Sequence, residues 1–269
     1  MKKTFTGNTR LFLCISGAII AIALPFCGCA KEPSTTPKEK TTMSNAYATD
    51  TFTTPNGKKV VITAIKHASL RIQFDGLEIQ VDPVGAKCAP ATDYSAFPKA
   101  DIILVTHEHF DHFDRDAIAT LSKDGTQVFV NPNVRKMLGS GEALANGDSQ
   151  KLDNGITIDA VPAYNTTPGR DKFHPKGRDN GYVLTLDGLR IYIAGDTEDI
   201  PEMADIKDID IAFLPCNQPY TMTPEQVAKS ARTIKPKVLF PYHYSETPVQ
   251  KVVDLLAGSG IDVRIRNYQ

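Results

Sequence analysis

Apolar and polar residues alternate one by one through Leu70-Arg71-Ile72-Gln73-Phe74 and again through Leu77-Glu78-Ile79-Gln80-Val81. That period of two predicts strands, and the intervening Asp75-Gly76 predicts a tight hairpin turn. With Val60-Val61-Ile62 ahead of them, these runs predict an antiparallel meander at the start of the fold. Ile102-Ile103-Leu104-Val105 breaks the alternation: it is apolar throughout, which predicts a buried strand. Further strand patterns fall at 128–130, 156–161, 182–186, 189–194, 209–214, 238–241 and 261–265, with Asp187-Gly188 as a second hairpin turn. Helical patterns occupy 114–121, a stretch opening at Pro132, a stretch from Pro224 to about 234, and 248–256. Asp114 is the expected N-cap of the first, Asn131-Pro132 opens the second, and Thr223-Pro224-Glu225-Gln226 is a capping box for the third. Residues 85–98 and 166–180 read as loops, and no short internal repeat is visible. The order of these elements predicts an α/β fold in which sheets are sandwiched between helices.

The first fifty residues do not share this pattern. Met1-Lys2-Lys3 and Arg10 precede an uncharged apolar stretch over 11–24, and Pro25-Phe26-Cys27-Gly28-Cys29-Ala30 follows. A basic start, a short apolar core and a small-residue exit predict an export signal over 1–29. Its purely apolar part is shorter than the roughly 20 residues a membrane span needs. Gly28-Cys29 resembles the end of a bacterial lipobox, so Cys29 is the expected point of lipid attachment and the bacterial cell envelope the expected location; a soluble periplasmic or secreted protein is the alternative. Membrane contact is expected only through that anchor. Residues 30–50, with Pro33, Pro37 and alternating Lys and Glu, predict a flexible linker, which leaves 51–269 as the folded domain.

Composition narrows the function. The 269 residues carry a formal net charge of −1 and no basic run interleaved with aromatics, so nucleic-acid binding is not expected. Three of the five cysteines lie in the leader, and the remaining Cys88 and Cys216 make no disulfide framework, although a single bridge between them stays open. Cys216 reads as a small buried hydrophobe rather than a nucleophile.

The candidate chemistry lies directly after the buried run, in Thr106-His107-Glu108-His109-Phe110-Asp111-His112. In an extended segment His107 and His109 point the same way and reach one cation, and a turn after His109 lets Asp111 and His112 face a second. Imidazole combined with carboxylate suits zinc and similar divalent metals. Glu108 is expected to point away. Other ligand-type residues stand just beyond apolar strands: His67, Asn165, Asp196 and His243. Strand ends converge on one edge of a sheet, so these residues are expected to gather around the cluster.

His107-x-His109-x-Asp111-His112, the later Gly195-Asp196-Thr197 and the late His243 resemble the metallo-β-lactamase-fold hydrolase superfamily, over most of the chain from about Val60. Within it, Ile65-Lys66-His67-Ala68-Ser69, Val81-Asp82-Pro83, Leu214-Pro215 and Tyr220-Thr221-Met222 resemble a branch of lactonase-like and phosphodiesterase-like proteins. That branch includes ascorbate-6-phosphate lactonases and N-acyl-phosphatidylethanolamine phospholipase D enzymes. The resemblance implies an αββα sandwich, with mixed sheets flanked by helices and a two-metal site at one sheet edge. It implies His107 and His109 on the first metal, Asp111, His112 and His243 on the second, and Asp196 bridging them. The third histidine of the first site has no direct counterpart, because the matching strand ends in Ala163-Tyr164-Asn165. Three outcomes stay open: Asn165 ligates weakly or through water, His174 folds back from the adjoining loop, or the first site is half-empty. The expectation is two metals with Asn165 as a softened ligand. The resemblance further implies a metal-dependent hydrolase that directs a metal-activated hydroxide at a lactone or other ester, or at a phosphodiester. Zinc is the default, with manganese or iron as alternatives, and the substrate is a small or lipid-derived molecule. Asp111 is expected to orient the hydroxide's proton, and His67 or His174 to stabilise the oxyanion or leaving group. The alternative is a metal- or ligand-binding protein of the same fold with little turnover.

Overall fold

The structure, a computed structural model, describes residues 47–268. The expected export signal, Cys29 and most of the linker lie outside the described residues. Among the described residues no helix is long and apolar enough to cross a membrane.

Two seven-stranded sheets face each other. The first runs, in spatial order, β1 (Thr49–Thr53), β2 (Lys59–Lys66), β3 (Ser69–Phe74), β4 (Leu77–Val81), β5 (Ile102–Val105), β6 (Gln127–Val130) and β7 (Glu142–Ala143). Its pairings are antiparallel up to β4 and parallel from β4 to β7. The second is built from β8 (Ser149–Lys151), β9 (Thr157–Ala163), β10 (Asp179–Leu186), β11 (Leu189–Ile193), β12 (Ile211–Pro215), β13 (Val238–Tyr242) and β14 (Asp262–Val263). It repeats the plan, antiparallel up to β11 and parallel from there to β14. Both hairpin turns take their expected form: Asp75 and Gly76, and Asp187 and Gly188, all have positive φ, as a two-residue turn matching the strand twist requires.

The continuous apolar run of β5 has a simple cause. Ile102 and Leu104 enter the core shared by the two sheets, while Ile103 and Val105 enter a second core on the other face. That second core is closed by Ala117, Ile118 and Leu121 of α1 (Arg115–Leu121) and Val134 of α2 (Pro132–Leu138). On the second sheet, α3 (Pro224–Ile234) buries Val227, Ala231 and Ile234, and α4 (Gln250–Leu255) buries Val252. The result is the αββα sandwich. The caps are as expected: Asp114 accepts from the Asp116 amide, Asn131 from Val134, and Thr223 and Gln226 form the reciprocal box.

Three expectations change. The linker, expected to reach residue 50, gives way at Thr49 to a strand that pairs with β2. Its Asp50 carboxylate accepts from Arg264 at 2.9 Å and Arg266 at 2.6 Å, so polar side chains are held there by ion pairs rather than by burial. The strand expected over 261–265 shrinks to two residues at the sheet edge. The bridge left open between Cys88 and Cys216 is not formed, for both are free thiols. Cys216 is buried, and burial pushes its thiol up to about 12, which suits packing rather than nucleophilic attack.

Candidate metal centre

The ligand-type residues meet where strands of both sheets end. His107, His109, Asp111 and His112 follow β5, and Asp196 follows β11 by three residues. His67 leaves β2 and His243 leaves β13, both with left-handed backbone (φ 48° and 47°). Such conformations are costly for residues with a Cβ. Here the His243 amide donates to the His67 carbonyl at 3.0 Å, and the two rings lie 3.7 Å apart. Gly195 sets Asp196 in place. Its φ is +64°, and an added Cβ would fall 2.6 Å from the Asn180 carbonyl oxygen, so glycine alone fits without a shift.

Two clusters result, each with its ligand atoms within 4.8 Å of one another: His107, His109, His174 and Asp196, and beside it His67, Asp111, His112 and His243. In the first, His109 Nδ1 lies 3.0 Å from His107 Nε2 and 3.2 Å from His174 Nε2. In the second, His67 Nε2 lies 3.0 Å from Asp111 Oδ2. Asp196 spans both. Its Oδ2 is 3.3 Å from His174 Nε2 and 3.3 Å from His243 Nε2, while Oδ1 faces His112 Nε2 at 3.4 Å.

The outer partners of the rings decide which nitrogen is free. His112 Nδ1 donates to Asp82 Oδ2 at 2.8 Å. The Thr106 hydroxyl donates to Asp82 at 2.7 Å, and so accepts from His107 Nδ1 at 3.0 Å. His174 Nδ1 donates to Asn165 Oδ1 at 2.6 Å, and the orientation of that amide is set by its Nδ2, which donates to the Tyr220 carbonyl at 2.7 Å. With Nδ1 protonated in all three rings, each Nε2 lone pair points into the centre, the arrangement a metal site requires. The fit to a cation shows in the buried polar atoms left without hydrogen-bond partners, which include His112 Nε2, both ring nitrogens of His243 and Asp196 Oδ1. Each such atom costs about 1–3 kcal/mol unless something pairs with it.

Asn165, expected as a ligand of the first metal, does not join either cluster. The loop after β9 turns back on itself, and the Asn165 amide donates to the His174 carbonyl at 2.9 Å. That closure brings the His174 ring into the first cluster and leaves the Asn165 side chain behind it as its hydrogen-bond acceptor. His174 is 1% exposed, so it is part of the centre rather than of a solvated loop. Glu108 points away, as expected, and pairs with Arg178 at 3.2 Å.

Charge within the centre is balanced. Burial, reinforced by the charge of His112, holds His107 well below the usual imidazole range; burial with His174 lowers His109, and burial with His243 lowers His67. Burial opposes ionisation of the carboxylates. Even so, His112, the neighbouring His243 and a hydrogen bond from His67 keep Asp111 below its usual range, and His243 and His112 do the same for Asp196. Burial also opposes charge on His112 and His243, but Asp196 and Asp82 raise the first, and Asp196 and Asp111 push the second up to about 9. Without metal, protons stand where cations would.

Sequence reasoning assigned no role to several residues that support the centre. Asp82, fully buried at the end of β4, accepts from the Thr106 amide at 2.8 Å as well as from His112. The signal was the Asp82-Pro83 pair after an apolar strand. Lys66, 1% exposed, donates to the carbonyls of Gly85, Cys88 and Pro90 at 2.6, 2.6 and 2.7 Å, and so pins the loop that brings Cys88 to the centre. Glu198, fully buried, accepts from the amides of Thr166 at 2.7 Å and Thr167 at 2.6 Å, pinning the loop that returns to His174. In the sequence nothing separates Lys66 and Glu198 from ordinary surface charges.

The chain is similar to known proteins in sequence and in fold. The sequence profile of the beta-lactamase superfamily domain matches residues 61–243. A UPF0173 metal-dependent hydrolase of Thermococcus kodakarensis is 30% identical over 197 residues, covering 70% of this chain and 86% of its own. Another, of Koribacter versatilis, is 33% identical over 202 residues, covering 70% and 85%. Among solved structures, a protein of Parabacteroides distasonis with the provisional description of metal-dependent hydrolase superposes with a TM-score of 0.80 at 58% identity, over 83% of this chain and 100% of that one. The metallo hydrolase Igni18 of Ignicoccus hospitalis superposes with a TM-score of 0.65 at 26% identity, over 77% and 95%.

Proposed function

The chain belongs to the beta-lactamase superfamily, as a metal-dependent hydrolase of the metallo-β-lactamase fold, and on that premise we propose that it holds two divalent metals and cleaves a lactone or other ester, or a phosphodiester. His107, His109 and His174 would hold the first metal and Asp111, His112 and His243 the second, with Asp196 shared by both clusters and His67 beside Asp111. Zinc is the metal of choice for a donor set rich in imidazole, with manganese and iron as alternatives. When bound, such metals supply Lewis acidity and a water whose pKa falls to about 7. The chain's own residues do the rest. Asp111, kept ionised and facing the cavity, would orient the attacking water, and His67, whose Nε2 lies 3.0 Å from Asp111 Oδ2, would hold that carboxylate in place. The observation that carries this reading is the set of three Nδ1 atoms committed to Asp82, Thr106 and Asn165, which turns three Nε2 lone pairs inward.

Protein purified without added metal is expected to contain about two divalent ions per chain and to turn over p-nitrophenyl esters or bis(p-nitrophenyl) phosphate. A His109→Ala variant with full activity and full metal content would refute the reading. The leader over 1–29 supports anchoring in the bacterial cell envelope through Cys29; radiolabelled palmitate incorporated equally by Cys29→Ala would exclude it.

A further inference from the structure

We infer that the substrate presents an uncharged apolar arm, aryl or alkyl, on a carbonyl ester or lactone, and that Phe110, Phe173 and Tyr220 select it. This rests on the hydrolase reading of the centre. The clusters open into a cavity of about 550 Å³. Three large apolar side chains are exposed among the described residues, and two of them, Phe110 at 67% and Tyr220 at 44%, line this one cavity. Phe173 joins them, packed edge-on against Tyr220 with ring centroids 5.0 Å apart. Phe110 lies between His109 and Asp111, so its backbone is held by a ligand-type residue on each side. Exposed rings on a rigid frame gain free energy by covering apolar surface and lose little entropy on binding.

Charge points the same way. No Lys or Arg lines the cavity among the described residues. The cations nearest in sequence have partners of their own: Lys66 with the carbonyls of Gly85, Cys88 and Pro90, Lys87 with Asp114, Arg170 with Glu198 and Gln218, Lys172 over the ring of Phe173, and Arg178 with Glu108 and Asp179. Sites that transfer phosphoryl groups or hold carboxylates commonly add an Arg or Lys clamp. Here the polar groups beyond the two clusters are the neutral Asn217 and Ser245 and the weakly polar thiol of Cys88. A negative charge on the arm would meet aromatic faces with no cation in the lining to pair it.

The test compares substrates that share one leaving group, on full-length metal-loaded protein. We expect kcat/KM for p-nitrophenyl hexanoate to exceed that for the acetate by about 10- to 100-fold, as burial of four methylenes allows. We expect the butyrate to exceed the anionic mono-p-nitrophenyl succinate by about 100-fold, and bis(p-nitrophenyl) phosphate to be the poorest of the set. Phe110→Ala and Tyr220→Ala should each cut the hexanoate-to-acetate ratio at least about threefold through KM, and Phe110→Arg should shift the butyrate-to-succinate ratio toward succinate. Both side chains are exposed enough for the variants to fold. Turnover with no chain-length preference, or with succinate or phosphodiester preferred, overturns the inference while upholding the hydrolase. If no ester or phosphodiester is cleaved, the hydrolase reading fails, and calorimetry on the metal-loaded protein decides the inference alone: tighter binding of hexananilide than of succinanilic acid sustains it, and the reverse overturns it.

Discussion

Replacing Lys66 with Met removes a buried ammonium and leaves an apolar stem of similar length. In the native protein all three ammonium protons are used, on the carbonyls of Gly85, Cys88 and Pro90 at 2.6, 2.6 and 2.7 Å. The partners are neutral, and burial lowers the pKa of the group. A hydrogen bond from a charged donor contributes about 1.5–3 kcal/mol net. Against three of these stands the desolvation of the ammonium, several kcal/mol, which Met avoids. The Gly85 bond is buried, whereas those to Cys88 and Pro90 are only partly buried, where water can take over. The balance is a loss of about 2–4 kcal/mol. With a urea slope of about 2–3 kcal/mol/M for a domain of this size, the unfolding midpoint should fall by about 1 M at fixed metal concentration. Because the freed segment carries Cys88, its alkylation, resolved by peptide mass, should also accelerate about tenfold. The buried Cys216 provides the internal reference. An unchanged midpoint together with unchanged Cys88 labelling would refute the reasoning, since the three carbonyls would then need no donor.

Asp82→Asn should weaken metal retention about 10- to 100-fold, because an amide no longer offers His112 a charged acceptor; chelator competition measures this, and equal retention would show that Asp82 does not orient the ring. The pH dependence follows from His243. Its pKa in the metal-free fold is about 9, above its ordinary 6.5, so it contributes stability that is complete below 6.5 and lost as pH rises through 9. Metal binding must expel that proton, so metal affinity should climb over the same interval while the Tm of the metal-free protein falls. Calorimetric titrations and melting curves across that window check both, and a flat metal affinity would count against His243 as a ligand.

Much of the fold is written locally. Alternation in β3 and β4, the Asp-Gly turns and the capping residues each depend on neighbours within a few positions, and those features stand as the sequence implies. The run of ligands over 107–112 was legible for the same reason, since four donor groups share one strand end. β1 escaped notice because Phe52 is its one apolar side chain and its ion pairs come from Arg264 and Arg266, more than two hundred residues away. Tertiary structure alone decided between Asn165 and His174. Both were candidates by position, and the choice depends on how the intervening loop closes, with Glu198, from beyond β11, accepting from its Thr166 and Thr167 amides. Asp82 and Lys66 likewise look like an ordinary turn aspartate and a surface lysine until parallel pairing of β4 with β5 sets Asp82 beside Thr106, and the loop after β4 folds over the ammonium. Residue identity along the chain therefore determined the elements and the main metal-binding loop. The partners that orient the ligands come from segments distant in sequence, and periodicity, which reports only on near neighbours, carries no record of them.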